Sequence, residues 1–135
     1  MVVASGVITT GTGEPLEARV HRIYDAVAGI LAEHSPSAVV LEDLYTEYRF
    51  PRAALALAHA RGVVCLAARQ RSITLLNLAP AEVKRFVAVN GAASKAQVQR
   101  SVERLLRLAS PPRPAHVADA LALALTGFSR LGGRI

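Results

Sequence analysis

The chain has 135 residues, 52% hydrophobic and 19% charged, which excludes a disordered tail and predicts one domain over residues 1–135. Cys65 is the only cysteine, so an internal disulfide and a cysteine-built zinc cage are excluded. The sequence opens without the basic and apolar pattern of an export signal, and the most apolar stretch, residues 53–68, is too short and too interrupted to cross a bilayer, which makes the cytoplasm the expected location and a membrane no expected partner.

Formal net charge is +6, unevenly spread: residues 1–47 hold two arginines against seven carboxylates, a balance of −5, and residues 48–135 hold fourteen bases against three acids, a balance of +11. Such a basic portion suits a polyanion, most commonly nucleic acid, because each neutralised phosphate releases counterions. A solvated arginine-rich surface is the plainer alternative.

Residues 2–10 are rich in β-branched side chains and predict a strand that stops at Gly11-Thr12-Gly13-Glu14-Pro15. Leu16, Val20, Ile23, Tyr24, Val27, Ile30 and Leu31 recur at three- and four-residue steps and predict an amphipathic helix, ended by His34-Ser35-Pro36-Ser37. The continuous apolar run 38–41 fits a strand covered on both faces of a parallel sheet, and it delivers Glu42 at its C-terminal end. A polar and aromatic stretch, 43–50, leads to Pro51, which suits the first turn of an alanine-rich helix reaching about Arg69 and interrupted at Gly62. Residues 73–78 predict a third strand, and Pro80 opens a short helix to about Phe86. After the break at Asn90-Gly91, a helix from about Ser94 carries Val98, Val102, Leu105, Leu106 and Leu108, with Arg100, Arg104 and Arg107 on its outer side. Ser110-Pro111-Pro112-Arg113-Pro114 cannot be helical and precedes a last helix from Ala115 to about Phe128. The order β-α-β-α-β-α-α implies an α/β fold with a mainly parallel sheet flanked by helices, whose sites form at the carboxyl ends of strands, where Glu42 lies.

His116 and Asp119 stand three residues apart at the start of the last helix and share one face. Brought beside Glu42, they would offer oxygen and nitrogen donors suited to Mg²⁺ or Mn²⁺, an arrangement fit for phosphodiester cleavage. Spacing alone leaves plainer roles open. Asp119 suits a helix N-terminus electrostatically, His116 an exposed turn, and Glu42 an arginine partner. A small-molecule phosphotransfer domain is disfavoured, because no glycine-rich phosphate loop is present.

Five stretches, in order, resemble the RuvC-type Holliday junction resolvases. They are Val39-Val40-Leu41-Glu42-Asp43-Leu44-Tyr45, Ala58-His59-Ala60-Arg61-Gly62-Val63, Pro80-Ala81-Glu82-Val83-Lys84, Gly91-Ala92-Ala93-Ser94-Lys95-Ala96-Gln97-Val98 and Ala118-Asp119-Ala120-Leu121-Ala122. The resemblance covers essentially the whole chain. It implies an RNase H-like fold, a homodimer, dependence on Mg²⁺ with Mn²⁺ as the alternative, and paired cuts across four-way junction DNA in recombination and repair, with branch-migration proteins as further partners. It also implies Glu42 and Asp119 as metal ligands, with His116 at a position where relatives carry aspartate or histidine. Lys95 falls at a basic position near the cleaved phosphate, Lys84 at one near the DNA, and Tyr45 at an aromatic position near the junction centre. Arg49 and Arg52 join them as candidate DNA-binding residues. Lysine is a compact phosphate-binding charge, and the aromatic loop of Tyr45, Tyr48 and Phe50 suits stacking on bases or a lid over the core.

The sequence departs from that pattern at its start. The family opens with a strand bearing an aspartate, a glycine turn and a second strand; here residues 2–10 resemble the family's third strand, and no carboxylate precedes Glu14. The expectation is an N-terminally shortened RNase H-like domain lacking the first two strands. In it, residues 2–10 slide into the vacant centre of the sheet to pair with residues 38–42, and cleavage is impaired. A natural gene product that begins further upstream is the competing expectation. A non-catalytic junction-binding or dimerisation module is the alternative function.

Overall fold

The computed structural model describes residues 1–44 and 51–135. Its elements run α1 (Leu16–His34), β1 (Ala38–Glu42), α2 (Pro51–Gln70), β2 (Thr74–Leu78), α3 (Pro80–Ala88), α4 (Lys95–Leu105) and α5 (Ala115–Arg130). The chain divides into two compact units, Ile8–Leu76 and a second made of Met1–Val7 with Asn77–Ile135, so the boundary falls within β2.

In the first unit, the turn before α1 is closed by the Glu14 side chain, which accepts from the Gly11 amide at 3.0 Å and pairs with Arg22 at 2.8 Å. Pro15 is extended and α1 follows directly. At its far end Ser35 is left-handed and donates its amide to the Leu31 carbonyl, and Pro36 forbids continuation. The helix packs on α2, where Ala67 and Ala68 are almost fully buried, and the Tyr24 hydroxyl donates to the Gln70 side-chain oxygen. Gly62 does not interrupt α2, because a single interior glycine weakens a helix by only about 1 kcal/mol. The Ser72 and Ile73 amides return to the Arg69 and Ala68 carbonyls, both at 3.0 Å, a left-handed stop that turns the chain into β2.

β1 and β2 pair as a two-stranded parallel sheet joined through α2. The expected strand at residues 2–10 does not form. Among the described residues the sheet ends at two strands, and Val3, Val7 and Ile8 are exposed. The postulated slide into the sheet centre is therefore corrected. β-branched composition favours a strand only where a partner supplies the ladder and a face to pack on, and residues 2–10 have neither here.

The second unit is built on α3, α4 and α5, each packed on the other two. Val83 and Val87 of α3, one turn apart, face inward, as do Val98, Ser101 and Val102 of α4. α5 contributes Ala118, Ala122, Leu125 and Thr126, a stripe whose two alanines admit close helix approach. Thr126 is buried, and its hydroxyl is satisfied by the Ala122 carbonyl at 2.8 Å. Glu82 and Arg130 clasp α3 to the end of α5.

α4 starts with a reciprocal cap: the Gln97 amide donates to the Ser94 hydroxyl at 3.2 Å, and the Ser94 amide donates to the Gln97 side chain at 2.8 Å. Ser94→Ala is expected to lower stability by about 1 kcal/mol, measured by urea denaturation, and Ser94→Asp to restore most of it.

Candidate functional site

Each candidate residue owes its place to local sequence. The half-buried run Ala38, Val39, Val40 and Leu41 ends in exposed Glu42 at the carboxyl end of β1. Asp43, next along, lies 3.9 Å from Arg61 of α2. Arg52 is exposed on the first turn of α2, and Tyr45 and Arg49 lie outside the described residues.

In the second unit, Pro80 starts α3 and thereby sets half-buried Lys84 in its second turn. The Ser94 cap places exposed Lys95 at the first position of α4. Residues 110–114 lead into α5. Its first turns hold exposed His116 and half-buried Asp119 on one face, while Val117 and Ala118 between them are buried and anchor the helix. Lys84, Lys95, His116 and Asp119 make no ion pair with any described residue. These side chains are left for solvent or a ligand.

The structure thus brings His116 and Asp119 together on α5 and places Glu42 in the other unit. Two carboxylates and an imidazole are the right donor types for a hard divalent cation, but such an ion takes six or more oxygen-rich ligands. Among the described residues no three His, Cys, Asp or Glu side chains gather into a metal-holding group. The donor set does not make a complete metal centre, and no chemical step is derived through one.

Charge also divides between the units. The unit of Ile8–Leu76 holds seven bases and seven acids, whereas Met1–Val7 with Asn77–Ile135 holds nine bases and three acids. The whole net charge of +6 therefore belongs to the three-helix unit. Arg100, Arg104 and Arg107, expected on the outer side of their helix, are all exposed. Sequence reasoning missed the Ser94–Gln97 cap, although a serine with glutamine three residues on carries that signal. It also missed the Glu82–Arg130 and Asp43–Arg61 pairs, which join residues far apart in the chain and carry no local pattern. Among the described residues no helix is long and apolar enough to cross a membrane.

A family model described as crossover junction endodeoxyribonuclease RuvC matches residues 1–127. The crossover junction endodeoxyribonuclease RuvC of Rhodopirellula baltica is 38% identical over 123 residues, which is 91% of this chain and 69% of that protein. The protein of the same description from Sorangium cellulosum is 42% identical over 130 residues, 96% of this chain and 72% of that one. The fold superposes on the Thermus thermophilus RuvC structure with a TM-score of 0.87 at 36% identity, covering 96% of this chain and 79% of the other. It superposes on T. thermophilus RuvC in complex with Holliday junction substrate with a TM-score of 0.85 at 33% identity, with the same coverage.

Proposed function

The chain belongs to the RuvC family of crossover junction endodeoxyribonucleases, with their RNase H-like fold, and on that premise we propose that it is a Holliday junction resolvase domain that binds four-way DNA junctions. The observation that carries this reading is the likeness to the junction-bound T. thermophilus structure, joined to a three-helix unit that holds all of the net positive charge.

On this reading, Lys84 and Lys95 neutralise backbone phosphates as point charges, and Lys95 serves the scissile one. Arg52, Arg49 and Tyr45 are further DNA-binding residues of the other unit, with Tyr45 at the aromatic position near the junction centre. Glu42 in one unit, and His116 and Asp119 in the other, are the donors the family reading assigns to the reaction, and a hard divalent cation, Mg²⁺ with Mn²⁺ as alternative, is the group it implies. A second copy of the chain as homodimer partner, branch-migration proteins, the cytoplasm as the compartment, and a single RNase H-like domain made of both units complete the proposal.

The test is equilibrium binding of a synthetic four-way junction and of a linear duplex of the same sequence, in a buffer without divalent metal. The expected result is a preference for the junction of at least about tenfold, with Lys84→Gln/Lys95→Gln roughly thirtyfold weaker on both substrates, in line with about 1 kcal/mol for each phosphate no longer neutralised. Equal affinity for junction and duplex would overturn the proposal.

A further inference from the structure

We propose that the outer face of α4 is a second phosphate-binding surface, on which Arg100, Arg104 and Arg107 grip the backbone of a duplex arm separately from Lys84 and Lys95. The inference rests on the junction-binding reading above and adds where an arm is held. α4 buries Val98, Ser101 and Val102 against α3 and α5, which turns Arg100 and Arg104 outward. Those two stand one turn apart, about 6 Å along the helix axis. That is close to two phosphate steps of one DNA strand at roughly 3.4 Å of rise each.

Arg107 carries the second and independent observation. α4 is capped at its C-terminus by Leu106, and Arg107 follows in the left-handed region at φ 53°. Its amide donates to the Arg104 carbonyl at 3.2 Å, and the Leu108 amide donates to the Glu103 carbonyl at 2.9 Å, the two bonds of a Schellman stop. That position favours glycine, because an L side chain there crowds the following carbonyl. Here it holds an exposed arginine, beside Arg104. None of the three arginines makes an ion pair with a described residue, and Glu103 is the only acid of α4. The unit to which they belong carries all of the net charge, and guanidinium forks match phosphate geometry. Duplex DNA is therefore the occupant this surface fits.

The test follows binding of a four-way junction from about 50 to about 200 mM salt for the full chain, for Arg100→Gln/Arg104→Gln/Arg107→Gln and for Arg107→Gly. The slope of log affinity against log salt is expected to become shallower by roughly 0.9 for each arginine that no longer neutralises a phosphate, close to 3 for the triple variant. Arg107→Gly is expected to melt about 3 °C higher while binding the junction several-fold more weakly, two changes of opposite sign that a purely structural residue does not give. If the unaltered chain binds the junction and the triple variant keeps its slope, this surface is not a phosphate contact, whatever else covers it, and the resolvase reading stands. If the unaltered chain binds no junction, that reading fails and takes this inference with it.

Discussion

Val102→Asp is expected to unfold the α3–α4–α5 unit. Val102 is fully buried at the centre of that unit, on the α4 face that meets both α3 and α5. A carboxylate placed there loses its hydration, and either the charge is retained at a penalty of several kcal/mol or the group is protonated and remains a buried polar atom in search of a partner. The valine's own burial is lost in addition. A loss of about 4 kcal/mol or more follows, most of what a small unit of this kind possesses. Ala96→Asp is the control, since Ala96 is exposed on the first turn of the same helix, where a negative charge is tolerated or favourable. It should shift the urea midpoint by no more than about 0.5 kcal/mol in stability terms. Val102→Asp melting within about 1 kcal/mol of the unaltered chain would show that these three helices do not share the core assigned to them.

Helix positions were legible in the sequence because each helix carries its own punctuation. Pro15, Pro51, Pro80, Ser94 and Pro114 stand at or next to helix starts, and Ser35-Pro36 and Asn90-Gly91 follow ends, so α1, α2, α3, α4 and α5 fall within a few residues of expectation. The strand at 38–42 was legible for a different reason: an uninterrupted apolar run followed at once by an acid leaves Glu42 at the sheet's carboxyl end. Residues 2–10 were misread because strand propensity is a property of neighbours as much as of composition, and the partner that would make Val3, Val7 and Ile8 interior is not among the described residues. His116 and Asp119 could be paired from their spacing alone, whereas Glu42 joined them only through the resemblance, because no local rule relates residues more than seventy positions apart. The charge asymmetry was visible, but its boundary was not. Arg52, Arg61, Arg69 and Arg71 belong by fold to a unit whose acids balance them, which leaves the excess on α3, α4, the segments after α4 and the residues after α5.

Cleavage is where the largest functional effect is expected. A divalent cation at a scissile phosphate is held by several carboxylates, because each ion brings two positive charges that neutral donors do not offset. On the resolvase reading, Glu42 and Asp119 are the acids offered for that role. Removing one charge-stabilising group from a preorganised site slows chemistry by about 10²–10³-fold. Glu42→Gln and Asp119→Asn should therefore each slow single-turnover cutting of a junction in Mg²⁺ by at least that much relative to the unaltered chain. Binding depends mainly on phosphate neutralisation spread over α3 and α4 and survives either substitution.

Holding and cutting are read together in one measurement: a labelled four-way junction saturated with the chain in Mn²⁺, sampled over hours and resolved in parallel on native and denaturing gels. A resolvase domain gives a complete native shift, with any nicks paired across the crossover and lost in Glu42→Gln. No shift at all, or unpaired nicks that survive in Glu42→Gln, would contradict it.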